Sequence, residues 1–182
     1  DSVYGPTRIF CDKTLSRFGV TTTYFDPLIG ANIAGLFQPN TRAVFLESPG
    51  SLTFEIQDVP AIAKAARAKD IAVILDNTWA TPFFFDALGH GVDISLMAAT
   101  KYIVGHSDAM LGTVTANAKY YKQLRNTHGN LGLCVGPDDI YLGQRGLRTM
   151  AVRLKQHEAN AKRLAEWLTA RPEVARVLYP AL

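Results

Sequence analysis

Ile71-Ala72-Val73-Ile74-Leu75-Asp76 and Ile94-Ser95-Leu96-Met97-Ala98-Ala99-Thr100-Lys101 decide the fold. Each is a short, mostly apolar run that ends on a polar or charged residue. A strand that is apolar at nearly every position, rather than at alternate ones, is covered on both faces, which is the condition of strands in a parallel sheet. Ala43–Leu46 is a third such run and delivers Glu47. In open α/β sheets ligands bind just past the carboxyl ends of the strands. Glu47, Asp76-Asn77-Thr78-Trp79 and Thr100-Lys101 are therefore the first places to look for chemistry.

Around these runs the pattern turns helical. Asp58 stands before Val59-Pro60 and an alanine-rich stretch to Lys69, an N-cap with proline in the first turn. Thr7–Phe18 predicts a helix with Ile9, Phe10, Leu15 and Phe18 on its apolar face and Gly19 as its stop. Val20–Phe25, rich in threonine and aromatics, predicts a strand broken by Asp26-Pro27. Ile29–Phe37 predicts a short helix, Leu111–Asn117 a strand, and Ala118–Thr127 and Pro137–Gln144 helices. Leu147, Ala151, Leu154, Ala161, Leu164 and Leu168 trace a long amphipathic helix that stops near Pro172. Val174–Pro180 reads as a final strand. Strands alternating with helices give an α/β fold, a mostly parallel sheet sandwiched by helices.

The chain has 182 residues, 48% of them apolar and 19% charged, enough apolar content to form a packed core and too much for a disordered chain. A net charge of +3 is too small to argue for nucleic-acid binding. No apolar run approaches the ~18 residues of a membrane span. Cys11 and Cys134 make neither a disulfide framework nor a metal site, and a reducing cytoplasm is the expected setting. The sequence opens Asp1-Ser2-Val3-Tyr4-Gly5-Pro6, without Met or a basic leader, like the end of a strand entering a turn. Both ends read as cut, and an internal piece of a longer protein is expected.

No G-x-G-x-x-G, P-loop or G-x-S-x-G pattern occurs, so nicotinamide, nucleotide-hydrolase and serine-hydrolase readings have no motif to rest on. Lys101 is flanked by apolar residues on both sides, which predicts a partly buried amine. Burial favours the neutral form, and a neutral amine is the nucleophile of Schiff-base chemistry. Taken singly, Lys101 has a plainer reading as a lysine snorkelling at a strand end, and Asp76 as a helix cap or turn residue. Together they are more informative. A reactive lysine beside a carboxylate is what pyridoxal phosphate needs, because the carboxylate keeps the pyridine nitrogen protonated. Thr100 could then donate its hydroxyl to the phosphate. Tyr4, at a turn into a helix, could stack on the ring, or be an ordinary packed aromatic. Gly105-His106-Ser107-Asp108 reads as a polar structural loop, since triad members are rarely sequence neighbours. Arg145, Arg148, Arg153, Lys155, Lys162 and Arg163 read as a solvated helix face.

Four stretches carry a family resemblance: Tyr4-Gly5-Pro6-Thr7, Leu75-Asp76-Asn77-Thr78-Trp79-Ala80-Thr81-Pro82, Ala99-Thr100-Lys101-Tyr102-Ile103-Val104-Gly105-His106-Ser107-Asp108, and Arg145-Gly146-Leu147-Arg148-Thr149. Through them the whole chain resembles the pyridoxal-phosphate enzymes of cysteine and methionine metabolism. The resemblance implies the large domain of the aspartate-aminotransferase-like fold, fold type I, over residues 1–146. Residues 147–182 would be a connecting helix and the truncated start of a carboxy-terminal domain. It implies Lys101 as the lysine that carries the cofactor as an internal aldimine and later shuttles the Cα proton. Asp76 would pair the pyridine nitrogen, Tyr4 would stack on the ring and assist proton transfer, and Thr100 would hold the phosphate. Family members often have serine three residues before the lysine; here that residue is Ala98. No metal is implied. A small sulfur amino acid is the implied substrate, and a cytoplasmic homotetramer, a dimer of dimers, the implied assembly.

Within the family, Glu47-Ser48-Pro49-Gly50-Ser51 departs from the E-T-P-x-N-P of γ-acting members, and Gly105-His106-Ser107-Asp108-Ala109-Met110-Leu111-Gly112 lacks their branched pair after the aspartate. Both stretches, with Phe25-Asp26-Pro27-Leu28-Ile29-Gly30, are similar to the β-lyase branch. The implied reaction converts cystathionine and water to homocysteine, pyruvate and ammonia. A γ-lyase or γ-synthase is the near alternative. A cofactor-free Schiff-base aldolase and a non-enzymatic interaction module are the remote ones.

Overall fold

A computed structural model describes residues 2–182. Four strands form one sheet in the order β1-β2-β3-β4: Ala43–Glu47, Ala72–Asp76, Ile94–Met97 and Thr113–Ala116. β1, β2 and β3 are parallel, and β4 runs antiparallel to β3. The sheet is thus mostly parallel and flanked by helices, as the apolar runs predict. Glu47 is in register with Asp76, and Asp76 with Leu96, so the carboxyl ends of the three parallel strands share one edge.

The helices are α1 (Gly5–Ile9), α2 (Val59–Arg67), α3 (Thr81–Phe84), α4 (Ala118–Asn130), α5 (Pro137–Leu147) and α6 (Met150–Thr169). α2 starts as its sequence predicts: Asp58 Oδ1 accepts from the Ala61 N–H at 3.0 Å. Its Val59, Ile62, Ala63 and Ala66 join Val44, Leu46, Val73, Leu75 and Ile33 in the main core. A second cluster, Met97, Ala99, Ile103, Met150 and Leu154, seats α6 beneath the segment that leaves β3.

The opposite edge of the sheet is tied by one carboxylate. Asp93 Oδ2 accepts from the Val73 N–H at 2.9 Å, and its Oδ1 accepts from the Asn117 side chain at 2.7 Å. Asn117 in turn caps α4, its Oδ1 accepting from the Tyr120 N–H. Asp93 therefore joins the starts of β2 and β3 to the end of β4.

Several expectations are corrected. Thr7–Phe18 is not one α-helix but α1, a π-helical turn over Phe10–Thr14 and a 3-10 turn over Leu15–Phe18, closed by left-handed Gly19 as predicted. Its expected apolar face is exposed at Ile9, Phe10 and Phe18. Val20–Phe25 forms no strand because no neighbouring strand offers it a ladder. Tyr24 instead donates its hydroxyl to Asp12 and lies under the Arg8 guanidinium, 3.8 Å from the ring centre, while Phe25 packs on the core. Burial and the Asp12 carboxylate push the Tyr24 phenol up to about 12. Ile29–Phe37 is a 3-10 helix over Gly30–Leu36 that buries Ile33. Val174–Pro180 also lacks a partner strand and is largely irregular. Ser2–Tyr4 likewise forms no strand, and Asp1 lies outside the described residues.

Leu75 is fully buried, at 0% exposure. Leu75→Ala is expected to cost about 2–5 kcal/mol, read as a lower urea midpoint of the apoprotein. Gly146 in α5 backs onto the carbonyl oxygens of Ile103 and Val104, where a Cβ would collide with both. Gly146→Ala is expected to lower the same midpoint by pushing α5 away from the segment after Lys101, although alanine is the better helix former.

Candidate functional site

The sheet's carboxyl edge builds the site one strand at a time. β1 ends in Glu47, whose Oε2 accepts from the Tyr4 N–H at 2.7 Å. That bond fastens the segment before α1 to the strand end. Tyr4 keeps 49% of its surface exposed, and its ring centre lies 5.6 Å from Lys101 Nζ. The structure thus brings together two residues 97 positions apart, both singled out from the sequence.

β2 ends in Asp76, which is partly exposed. The Thr78 N–H donates to its Oδ1 at 2.9 Å. The following residues hook back onto the sheet. The Asn77 N–H donates to Leu96 O at 2.9 Å, and Thr78 Oγ1 accepts from the Ala98 N–H at 2.8 Å. Asn77, 1% exposed, also donates its side-chain amide to Phe85 O at 3.0 Å. These bonds fix the angle at which Asp76 leaves the strand. Ala98, standing where the resembling enzymes often have serine, contributes only its backbone here.

β3 ends at Met97, and the chain turns tightly through residues 98–105. The Lys101 N–H donates to Ala98 O, Val104 to Ala99 O and Gly105 to Lys101 O, at 3.0, 2.9 and 2.7 Å. Ala99, Ile103 and Val104 take the buried positions of this turn. Lys101 is left on the open side and is exposed. This corrects the expectation of partial burial: the apolar neighbours pack away from the lysine rather than around it. Thr100 is bound to the next segment. Its hydroxyl donates to Ala109 O and accepts from the Leu111 N–H, each at 3.0 Å.

Glu47 is the residue whose importance the sequence understated. It is half-buried, and burial pushes its carboxyl above its ordinary value. The Tyr4 N–H opposes that shift, Asp76 adds to it and Lys101 again opposes it. Glu47 therefore senses both titratable groups of the site. Its position at a strand end was visible in the sequence; its bond to Tyr4 was not, because nothing local links the two.

Other expectations come out mixed. His106 and Asp108 are exposed, as suits a polar loop; His106 Nδ1 contacts Val104 O at 2.9 Å and Asp108 lies 3.9 Å from Arg145. Arg153, expected on a solvated face, is instead folded against the carbonyls of Tyr102, Ile103 and Gly146. Among the described residues no group of three or more His, Cys, Asp or Glu could hold a metal ion, and no helix is long and apolar enough to cross a membrane.

An exposed primary amine, an aromatic ring 5.6 Å from it and two carboxylates on the adjoining strand ends form a donor set that fits the ring end of pyridoxal phosphate. The amine suits its aldehyde, the tyrosine its flat face, and a carboxylate its pyridinium nitrogen.

Comparison with known proteins points the same way. The chain is 53% identical over its full length to cystathionine beta-lyase of Escherichia coli and 50% identical to that of Salmonella typhimurium, spanning 47% of each. It thus covers about half the length of the curated relatives it matches. It superposes with a TM-score of 0.95 on the crystal structure of cystathionine gamma-lyase from Lactobacillus plantarum complexed with L-serine, at 35% identity, covering 99% of this chain and 48% of that one. The sequence profile of the Cys/Met metabolism PLP-dependent enzymes matches residues 1–182, and the chain belongs to that family.

Proposed function

We infer that the protein containing this chain is a pyridoxal-phosphate-dependent carbon–sulfur β-lyase, acting on L-cystathionine and water to give homocysteine, pyruvate and ammonia. The observation that carries the reading is the exposed Lys101 amine beside the Tyr4 ring at the carboxyl edge of a mostly parallel sheet. The β-lyase-like stretches Glu47–Ser51 and Gly105–Gly112 support the branch. A γ-lyase is the second reading, favoured by the high structural similarity to the Lactobacillus plantarum enzyme. A cytoplasmic homotetramer, and a division of the chain after residue 146, are part of the same proposal.

Pyridoxal phosphate, when bound, supplies an electron sink for charge developing at the substrate's Cα. Lys101 Nζ would hold the cofactor's aldehyde, and its amine would serve as the base for the substrate's Cα proton and as the acid toward the leaving sulfur. Asp76 would hold the pyridine nitrogen in its protonated form; the Thr78 N–H orients Oδ1 of its carboxylate. Tyr4, its ring centre 5.6 Å from Lys101 Nζ, would stack on the flat face of the bound ring. Thr100, whose hydroxyl now donates to the Ala109 carbonyl, would supply a donor to the phosphate.

In the full-length protein, Lys101→Ala is expected to abolish both the visible absorption band of the lysine-bound cofactor and turnover. A wild-type protein without that band after incubation with pyridoxal phosphate would sink the cofactor assignment. Products from cystathionine separate the two branches: pyruvate with homocysteine for β-elimination, 2-oxobutyrate with cysteine for γ.

Glu47→Gln keeps an acceptor for the Tyr4 N–H and removes the desolvated charge. A carboxyl whose pKa is raised on folding contributes stability below its unfolded value of about 4.3 and loses it as pH rises through the folded value. The variant lacks that loss. Its urea midpoint is therefore expected to gain on wild type from about pH 4 upward and to level off above the folded pKa. A difference that does not change with pH would show that Glu47 is not strained by burial.

A further inference from the structure

Arg153, in the first turn of α6, is engaged in a way that neither solubility nor helix packing requires. Its Nη2 donates to Tyr102 O at 2.8 Å, Ile103 O at 3.2 Å and Gly146 O at 2.9 Å. Its Nε donates to Thr149 Oγ1 at 3.0 Å. Nη1 is buried without a partner among the described residues. The guanidinium also lies against Gly105, at φ +82°, where a Cβ would collide with it. Its neighbours thus come from the turn that carries Lys101 and from the junction of α5 and α6.

The turn explains why a cation belongs there. Residues 98–105 make their internal bonds through the carbonyls of Ala98, Ala99 and Lys101. The carbonyls of Tyr102 and Ile103 have no backbone partner among the described residues. Unpaired carbonyls at the end of a helical turn carry partial negative charge and need donors. One planar guanidinium can serve several of them at once, which a lysine ammonium does less well. Charge-assisted bonds of this kind are also the stronger ones.

We propose that Arg153 is a positioning residue for Lys101: its guanidinium locks the Tyr102 and Ile103 carbonyls against α5 and α6, and so sets the direction from which Lys101 Nζ meets its reaction partner. The proposal rests on the assignment of Lys101 as the cofactor-binding amine. Misplacing a reacting group by about 1 Å can cost on the order of a hundredfold in rate. Loss of the clamp acts on the lysine's approach, not on the residues that would touch the substrate.

The test uses the full-length apoprotein and two variants, Arg153→Met, which removes every donor, and Arg153→Lys, which keeps the charge without the fork. The first readout is the rate at which the visible band forms after pyridoxal phosphate is added. The second, which needs no cofactor, is amide hydrogen exchange. Arg153→Met is expected to slow band formation on the order of tenfold to a hundredfold, with Arg153→Lys in between. Exchange should rise at residues 102–105 and stay at wild-type levels in β2. Wild-type band formation with wild-type exchange at 102–105 in both variants overturns the proposal. So does exchange that rises equally in β2, which makes Arg153 a general stabiliser. Should Arg153→Met fail to fold, Arg153→Lys is judged on the same two readouts. A wild-type protein that develops no band overturns the functional assignment instead, and exchange at 102–105 still decides whether the clamp exists.

Discussion

The parallel register of β1, β2 and β3 is the constraint on which the site depends. Because Glu47 pairs with Asp76 and Asp76 with Leu96, three chain exits leave the sheet along one edge. A slip of one residue in either ladder would turn the strand's alternate side chains to the opposite face and move its terminal carboxylate with them. Burial prevents the slip: Leu46 and Leu75 are both fully enclosed, and moving either would expose it and bring a neighbour into its place. The core thereby sets the spacing of the chemistry without touching it.

Once the strands end, precision passes from the sheet to individual polar bonds. Each exit is held by a side chain or backbone group from a different part of the chain. Tyr4 donates to Glu47, Thr78 accepts from Ala98, and Thr100 bridges Ala109 and Leu111. Arg153 holds the last turn from outside. The neutral ones among these bonds contribute little stability, since a typical one is worth about 1 kcal/mol net. Their value is directional: each fixes a backbone angle just where the regular ladder no longer does. Reactive groups on exits held in this way can be exposed, as Lys101 is, and still be placed.

The strands and the residues at their ends were legible in the sequence because those signals are local. An apolar run closed by Asp76, or by Thr100-Lys101, announces a buried strand and its exit within a few residues, and Asp58-Val59-Pro60 announces a helix start in the same way. What failed depended on partners distant in sequence. Val20–Phe25 has strand-forming residues but no strand to pair with, and Tyr24 finds Asp12 and Arg8 instead. Lys101 has apolar neighbours, yet the second core draws Ala99 and Ile103 inward and leaves the amine outside. Arg153 sits among the charges of an amphipathic helix, and only the arrival of the Tyr102 and Ile103 carbonyls shows what it does. Family resemblance assigned roles to Lys101, Asp76, Tyr4 and Thr100, but it was silent on the residues that orient them.

The two strand-end carboxylates show why orientation and reactivity need separate groups. Both stand at the sheet's carboxyl edge, from which the turn bearing Lys101 also departs. Glu47 is half-buried, and it places an oxygen on the Tyr4 N–H. That makes it a poor candidate for binding a ligand and a good anchor for the segment that carries Tyr4. Asp76 remains partly exposed, with one oxygen oriented by Thr78, so it can meet a cationic ring nitrogen without first breaking a bond to the protein. Two carboxylates in register on neighbouring strands would repel if both were charged and equally solvated. Burial holds the Glu47 carboxyl above its ordinary value, and with Glu47 committed to the Tyr4 N–H, Asp76 is the carboxylate placed to meet a ligand.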